Sequence, residues 1–204
     1  MANEIAAEYE FIGVTGARSI PTDLLSLLLN MHDYNHQNGT HRELFEIESV
    51  QMKQFIDEGF HSHAYLSQPR KQPRLRDILK NPAQLAMPKV LEAHLENFFP
   101  FMGLLHGEDK LLSLKECHFY VPEADRQSRV FVLMYMKAHS PIAHLIKGNL
   151  LKLIDVVVDQ DAKILNKIYA DVPQRIKLNN EVGMDWVRRN FESFPVAPEP
   201  NLSR

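Results

Sequence analysis

Apolar positions recur along the chain at two spacings, and the two spacings divide it into strands and helices. Residues 8–15 are β-branched and aromatic in character and predict a strand, which Gly16 ends. Ser19-Ile-Pro-Thr-Asp then opens a helix, with Ser19 or Thr22 as its cap and Pro21 in the first turn. Leu24, Leu25, Leu28 and Met31 continue at helical spacing, and Gly39 supplies the stop, so a helix is expected over 21–38. Residues 44–50 and 61–66 read as strands. The proline-rich and basic stretch 67–88 predicts an irregular excursion with one short helix at 75–80. Val90, Leu91, Leu95 and Phe98 fit a helix over 90–98, and a strongly apolar segment comes after it. Residues 112–121 and 129–137, joined by a polar loop containing Pro122, have the grammar of a β-hairpin. The longest helical pattern runs over 141–170, with Leu150, Leu153, Ile154 and Val157 on its apolar face and Pro173 beyond its end. A short helix at 184–191 closes the series.

These elements predict an α+β domain in which a curved antiparallel sheet grips a long C-terminal helix. No repeat and no boundary interrupts it, so residues 1–194 read as one domain and 195–204 as a loose tail. A chain of 204 residues buries enough surface to fold without staples. Its single cysteine, Cys117, excludes an internal disulfide and any cysteine-ligated cluster; an ordinary buried thiol is expected there. A net charge of −3 gives no reason to expect nucleic acid or an anionic membrane as partner. No run approaches the length of a membrane helix, and Met-Ala-Asn-Glu-Ile does not begin a secretory signal, so a cytoplasmic location is expected.

Ten histidines stand out, because imidazole is the commonest protein ligand for transition metals. The informative stretch is Asn30-Met-His-Asp-Tyr-Asn-His-Gln-Asn-Gly-Thr-His41. Asp33 and His36 share a helix face, and a turn at Gly39 can fold His41 back toward His36. Two histidines and a carboxylate with open positions make the facial triad of non-heme iron(II) oxygenases. The long C-terminal helix offers Asp155, Asp159 and Asp161 as the carboxylate, and periodicity does not choose among them. Taken alone, His36 and His41 fit an exposed helix end equally well.

The pattern Asp33-x-x-His36-x-x-x-x-His41, with Asn30 ahead of it, resembles the iron motif in the catalytic domains of Rieske-type aromatic-ring-hydroxylating oxygenases. Gln160-Asp161-Ala-Lys-Ile-Leu165 is similar to the family's phrase for its third ligand, and the resemblance spans residues 9–189. It implies a helix-grip, START/Bet v 1-like fold and a mononuclear Fe(II) held by His36, His41 and Asp161. Asp33 would link the iron to the [2Fe–2S] cluster of a neighbouring subunit, and Asn30 would stand near the iron. The chemistry implied is hydroxylation, dihydroxylation or oxidative demethylation of a hydrophobic, aromatic substrate with O2. Two departures stand against this. Leu29 replaces a glutamate common in the family, and no Rieske domain is present, since one cysteine cannot hold the cluster. A Rieske or ferredoxin electron donor on another chain, and a homotrimer, are the partners implied. A ligand carrier of the same fold, or a silent subunit of an oxygenase assembly, are the alternatives.

Other residues carry weaker expectations. His61 and His63 alternate on a strand and read as a solvent-facing pair before they read as a second metal site. His32 is expected to point away from the iron motif; His94, His106, His118, His139 and His144 receive no role. The basic stretch 70–76 reads as a solvated loop, and Trp186 as a seal at one end of the fold or a subunit contact.

Overall fold

A computed structural model describes residues 2–72, 75–80, 88–108, 112–139, 141–167 and 181–195. Its frame is a seven-stranded antiparallel sheet in the order β1-β7-β6-β5-β4-β3-β2. The strands are β1 (Glu10–Ile20), β2 (Gln51–Asp57), β3 (His61–Pro69), β4 (Val90–Phe98), β5 (Met102–Glu108), β6 (Leu112–Ala124) and β7 (Gln127–Ala138). From β2 to β7 it is a meander, and β1 joins at the far edge by pairing Glu10 with Met136 and Ile20 with Ser128. The helices are α1 (Ala2–Glu8), α2 (Leu24–His32), α3 (His36–Gly39), α4 (Arg42–Phe45), α5 (Leu75–Lys80), α6 (Pro141–Leu145), α7 (Lys147–Leu165) and α8 (Val182–Ser193). Among the described residues no helix is long and apolar enough to cross a membrane.

Alternation along β7 puts Val130, Val132, Met134 and Met136 inward, where they meet Leu27 and Leu28 of α2, Leu150 and Ile154 of α7, and Trp186 and Val187 of α8. The core is therefore a sheet face covered by three helices. Two glycines set the closeness of that cover. Gly16 has φ +65°, and an added Cβ would lie 2.7 Å from Val158 Cγ2, so α7 crosses β1 only because no side chain intervenes. A Cβ on Gly183 would lie 2.7 Å from the His32 carbonyl oxygen, so α8 rests directly on the end of α2.

Polar contacts fix how α7 is turned on its axis. Arg18 of β1 bonds Asp159 at 2.8 Å and Asp155 at 2.7 Å, and Thr15 Oγ1 donates to the Leu151 carbonyl at 3.2 Å. Two residues further along a helix is a rotation of about 200°. With Asp159 facing Arg18, Asp161 is thus carried to the opposite side, into the interior.

Several expectations of the elements fail. The strand expected to end at Gly16 runs on to Ile20, and Asp23, not Ser19 or Thr22, caps α2, its side chain accepting from the Ser26 N–H. The helix over 21–38 breaks at Asp33, where the backbone leaves helical geometry (φ −79°, ψ 85°) and the carboxylate accepts the Asn35 N–H at 3.0 Å. An aspartate that offers its own acceptor to nearby N–H groups ends a helix. Beyond the break the chain makes two single turns, α3 and α4, rather than a strand over 44–50; Ile47 makes only an isolated bridge to Arg70. The stretch 90–98 is strand β4, not a helix. Its apolar positions Leu91, Ala93 and Leu95 also alternate, and pairing to β3 and β5 selects that period. The strands β2 and β5 and the helix α1 add to the expected elements; β2, Gln-Met-Lys-Gln-Phe-Ile-Asp, is an exposed edge with few apolar residues to mark it.

The hairpin of β6 and β7 and the helices α5 and α8 fall where the pattern predicts them. The long helix is real but divided into α6 and α7; Pro173 and the tail beyond 195 lie outside the described residues.

Candidate metal centre

His36 opens α3, His41 sits between α3 and α4, and Asp161 projects from α7. Their ligand atoms all lie within 4.8 Å of one another. Asp161 Oδ1 is 3.1 Å from His41 Nε2 and 3.6 Å from His36 Nε2, and the two rings stand edge to face with centroids 5.1 Å apart. Asp155 and Asp159 are engaged with Arg18 on the other side of α7 and take no part in this group.

Both rings are held by their other nitrogen. His36 Nδ1 donates to the Asp33 carbonyl, and His41 Nδ1 donates to Gln160 Oε1 at 2.7 Å. Donation from Nδ1 leaves an Nε2 lone pair on each ring, and both lone pairs face the carboxylate. His41 Nε2 and Asp161 Oδ1 are buried without a hydrogen-bond partner. Two nitrogen lone pairs against a buried carboxylate is an arrangement that a positive charge completes. Burial draws the His41 imidazole down, but the Asp161 carboxylate and Gln160 outweigh it and hold the ring above its ordinary value. Burial wins at His36, which is held below its ordinary value despite Asp161.

The spacing fits an ion. Nitrogen and oxygen ligands about 2.1 Å from a shared transition metal stand roughly 3.0–3.4 Å apart at angles between a right angle and a tetrahedral one. Of the observed separations, 3.1 Å falls inside that range and 3.6 Å just beyond it.

The group lies in the wall of a cavity of about 250 Å³, lined chiefly by apolar residues including Leu95, Leu105, Leu114, Met134 and Leu153. Of the apolar cluster after β4, Leu104 and Leu105 reach this lining, whereas Phe99 packs edge-on to Trp186. Two polar residues of β6 also face the cavity. His118 Nε2 stands 3.2 Å from Glu116 Oε2, and nothing in the sequence marks this pair except the alternation of β6 itself. Gln160 is legible only as part of the phrase around Asp161; its bond to His41 links two segments far apart in sequence.

Asn30 lies in the last turn of α2 and Asp33 is its C-cap. It is the Asp33 carbonyl that holds His36, while its carboxylate accepts from Asn35. Asn30 is buried, its Nδ2 has no partner, and it does not line the cavity. His32 points away, as expected: its Nδ1 donates to the Leu28 carbonyl at 2.8 Å, and burial pulls its pKa down to about 4. Trp186 seals one end of the core and donates to the Gly59 carbonyl at 2.8 Å. Arg70 is not solvated; it is buried and donates to the Phe45 carbonyl at 2.6 Å and to the Pro88 carbonyl at 3.0 Å, tying α4 to the strand region. Cys117 is a buried free thiol.

No protein-family model and no curated protein sequence matches the chain. Solved structures do. Dicamba monooxygenase bound to dicamba superposes with a TM-score of 0.63 at 14% identity, covering 91% of this chain and 58% of that one. The quaternary ammonium Rieske monooxygenase CntA, in complex with an inhibitor, gives 0.65 at 9% identity over 93% of this chain and 51% of its own. The NdmA QL mutant of Pseudomonas putida CBB5 with theobromine gives 0.57 at 12% identity, over 91% and 51%. The fold is that of Rieske oxygenase chains, and this chain spans little more than half the length of each.

Proposed function

We propose that this chain is the mononuclear-iron domain of an oxygenase acting on a small hydrophobic substrate. The observation that carries this reading is the convergence of His36, His41 and Asp161 in the wall of an apolar cavity. Bound there, Fe(II) would supply the site at which O2 is activated beside the substrate. His36 and His41 would hold it through Nε2, with the Asp33 carbonyl and Gln160 fixing the two rings, and Asp161 would neutralise part of its charge. Such supporting bonds set ring orientation and ligand basicity. Half-buried Asp33, whose carbonyl holds His36, is the proposed entry for electrons from a Rieske centre on another domain or chain. A homotrimer is the assembly in which neighbouring subunits would exchange them. Asn30 is proposed as a neighbour of the iron that tunes the site without binding it. In this reading the sheet and α7 form a helix-grip, with residues 1–194 as one domain.

The cavity suggests the size of the substrate. A dry cavity of about 150 Å³ admits benzene, so about 250 Å³ suits a substituted single ring. Glu116 and His118 offer such a ring one polar handle, and the apolar walls exclude water from the rest. The reaction would be hydroxylation or oxidative demethylation.

The test is iron content after anaerobic Fe(II) loading. One iron per chain, lost in His36→Ala, His41→Ala and Asp161→Ala alike, is expected. A folded wild-type chain that takes up no iron would sink the oxygenase reading and favour a carrier of hydrophobic ligands.

A further inference from the structure

The opposite face of the sheet carries a second histidine cluster. His61 and His63 of β3 and His94 of β4 point away from the cavity side, which β4 lines with Ala93, Leu95 and Asn97, and His106 of β5, paired with His94, joins them from a strand that borders the cavity. They are not solvent-facing: the side chains of His61, His63 and His106 keep only 30%, 20% and 16% of their exposure. The rings are stacked across the strands. Tyr65 and His94 are nearly parallel with centroids 4.3 Å apart, and His94 and His106 are 4.7 Å apart.

Glu96 stands in the middle of this cluster. Its Oε1 is 2.7 Å from His106 Nε2 and its Oε2 is 3.9 Å from His61 Nε2, and both of those nitrogens are buried without a hydrogen-bond partner. His63 Nδ1 and His94 Nε2 are 3.1 Å apart. That is the separation two ligand nitrogens take when bound side by side to one ion. The ligand atoms of His63, His94 and Glu96 lie within 4.8 Å of one another.

We infer that His63, His94 and Glu96 form a second metal site, independent of the cavity, for a borderline divalent transition ion, Zn²⁺ foremost, which clamps β3 to β4. Imidazole with carboxylate and no thiolate selects such an ion over Mg²⁺ or Ca²⁺. Glu58, at the turn before β3, adds negative charge 3.2 Å from His61 Nδ1 and 3.9 Å from His63 Nε2. Lys115 of β6 opposes the ion, but its ammonium is already engaged, donating to His106 Nδ1 and lying 5.5 Å over the Tyr9 ring. His106 acts as a positioning residue, its Nε2 set 2.7 Å from Oε1 of Glu96.

The two centres are separable by mutation. In the full chain carrying His36→Ala and His41→Ala, Co²⁺ alone is titrated and followed by its visible absorption, then displaced by Zn²⁺. One Co²⁺ per chain is expected, lost on adding His63→Ala and His94→Ala. Glu96→Gln, which keeps the side-chain shape and so guards against a folding defect, should weaken binding at least about tenfold, and His106→Ala about tenfold. No Co²⁺ uptake by the folded His36→Ala/His41→Ala chain would overturn the proposal, as would uptake that survives both His63→Ala/His94→Ala and Glu96→Gln. Neither result bears on the iron content of the wild-type cavity site.

Discussion

The two faces of the sheet hold the same donors, two imidazoles and one carboxylate, in very different settings. On the inner face the donors come from loop turns and a helix, are almost fully buried, and adjoin a cavity. On the outer face they come from adjacent strands in register, are partly exposed, and are not among the residues that line that cavity. Register alone can assemble the outer group, because strand neighbours meet wherever the sheet forms. The inner group depends on three separate devices: the break at Asp33, the rotation of α7 set by Arg18, and the bond from His41 to Gln160. A cavity beside open ligand positions suits turnover, and a ladder of rings across strands suits mechanical bracing.

Mutations can break this contrast in a graded way. The largest effect is expected from Asp161→Ala, which should abolish Fe(II) uptake while leaving Co²⁺ binding by the outer cluster intact; metal analysis of the two ions checks it. Next comes Gly183→Ala. A new Cβ 2.7 Å from the His32 carbonyl oxygen forces α8 off α2 beneath the inner centre. Overpacking of this kind costs about 3 kcal/mol, or roughly 10 °C in Tm for a chain of this size, and thermal unfolding will show it. Acid should produce a similar loss through His32. Its folded pKa of about 4 lies below the ordinary 6.5, so the unfolded chain takes up the proton first. The stability due to this neutral ring is whole above pH 6.5 and falls as the pH drops toward 4, by about 3 kcal/mol. Denaturant unfolding at several pH values measures this, and His32→Leu should flatten that part of the slope. Gln160→Ala frees His41 Nδ1 and should weaken Fe(II) binding about 10–100-fold without touching the outer cluster. Arg18→Ala is the smallest, because Asp155 and Asp159 are half exposed; it should cost about 1 kcal/mol or less in denaturant unfolding.

The pattern of apolar residues makes the outline of this fold legible where a segment's period and its burial agree. The β6–β7 hairpin and the α7 stripe are plain because each buries one face and exposes the other. The stretch 90–98 misleads because its apolar residues satisfy both periods, and only the neighbours β3 and β5 decide between them. Residue type and spacing bring His36 and His41 forward, while Asp161 stands apart from Asp155 and Asp159 only by the resemblance of the phrase around it, not by spacing. In the structure Arg18 separates them, through a contact between β1 and α7 that no local pattern encodes. His61-Ser-His63 marks one strand of the outer cluster, but its partners His94, Glu96 and His106 lie on two other strands and meet it only through sheet register.

The edge pairing of β1 with β7, Glu10 against Met136, has a temporal meaning. The first strand made is also the one that must wait for the last. At about 5–20 residues per second of synthesis, His41 emerges on the order of ten seconds before Asp161, and β1 finds no partner until β7 has emerged. The inner group of His36, His41 and Asp161 can therefore be completed only late in synthesis, after the strands of the sheet have been made. The outer cluster, carried on β3, β4 and β5, is complete while the C-terminal helices are still being made.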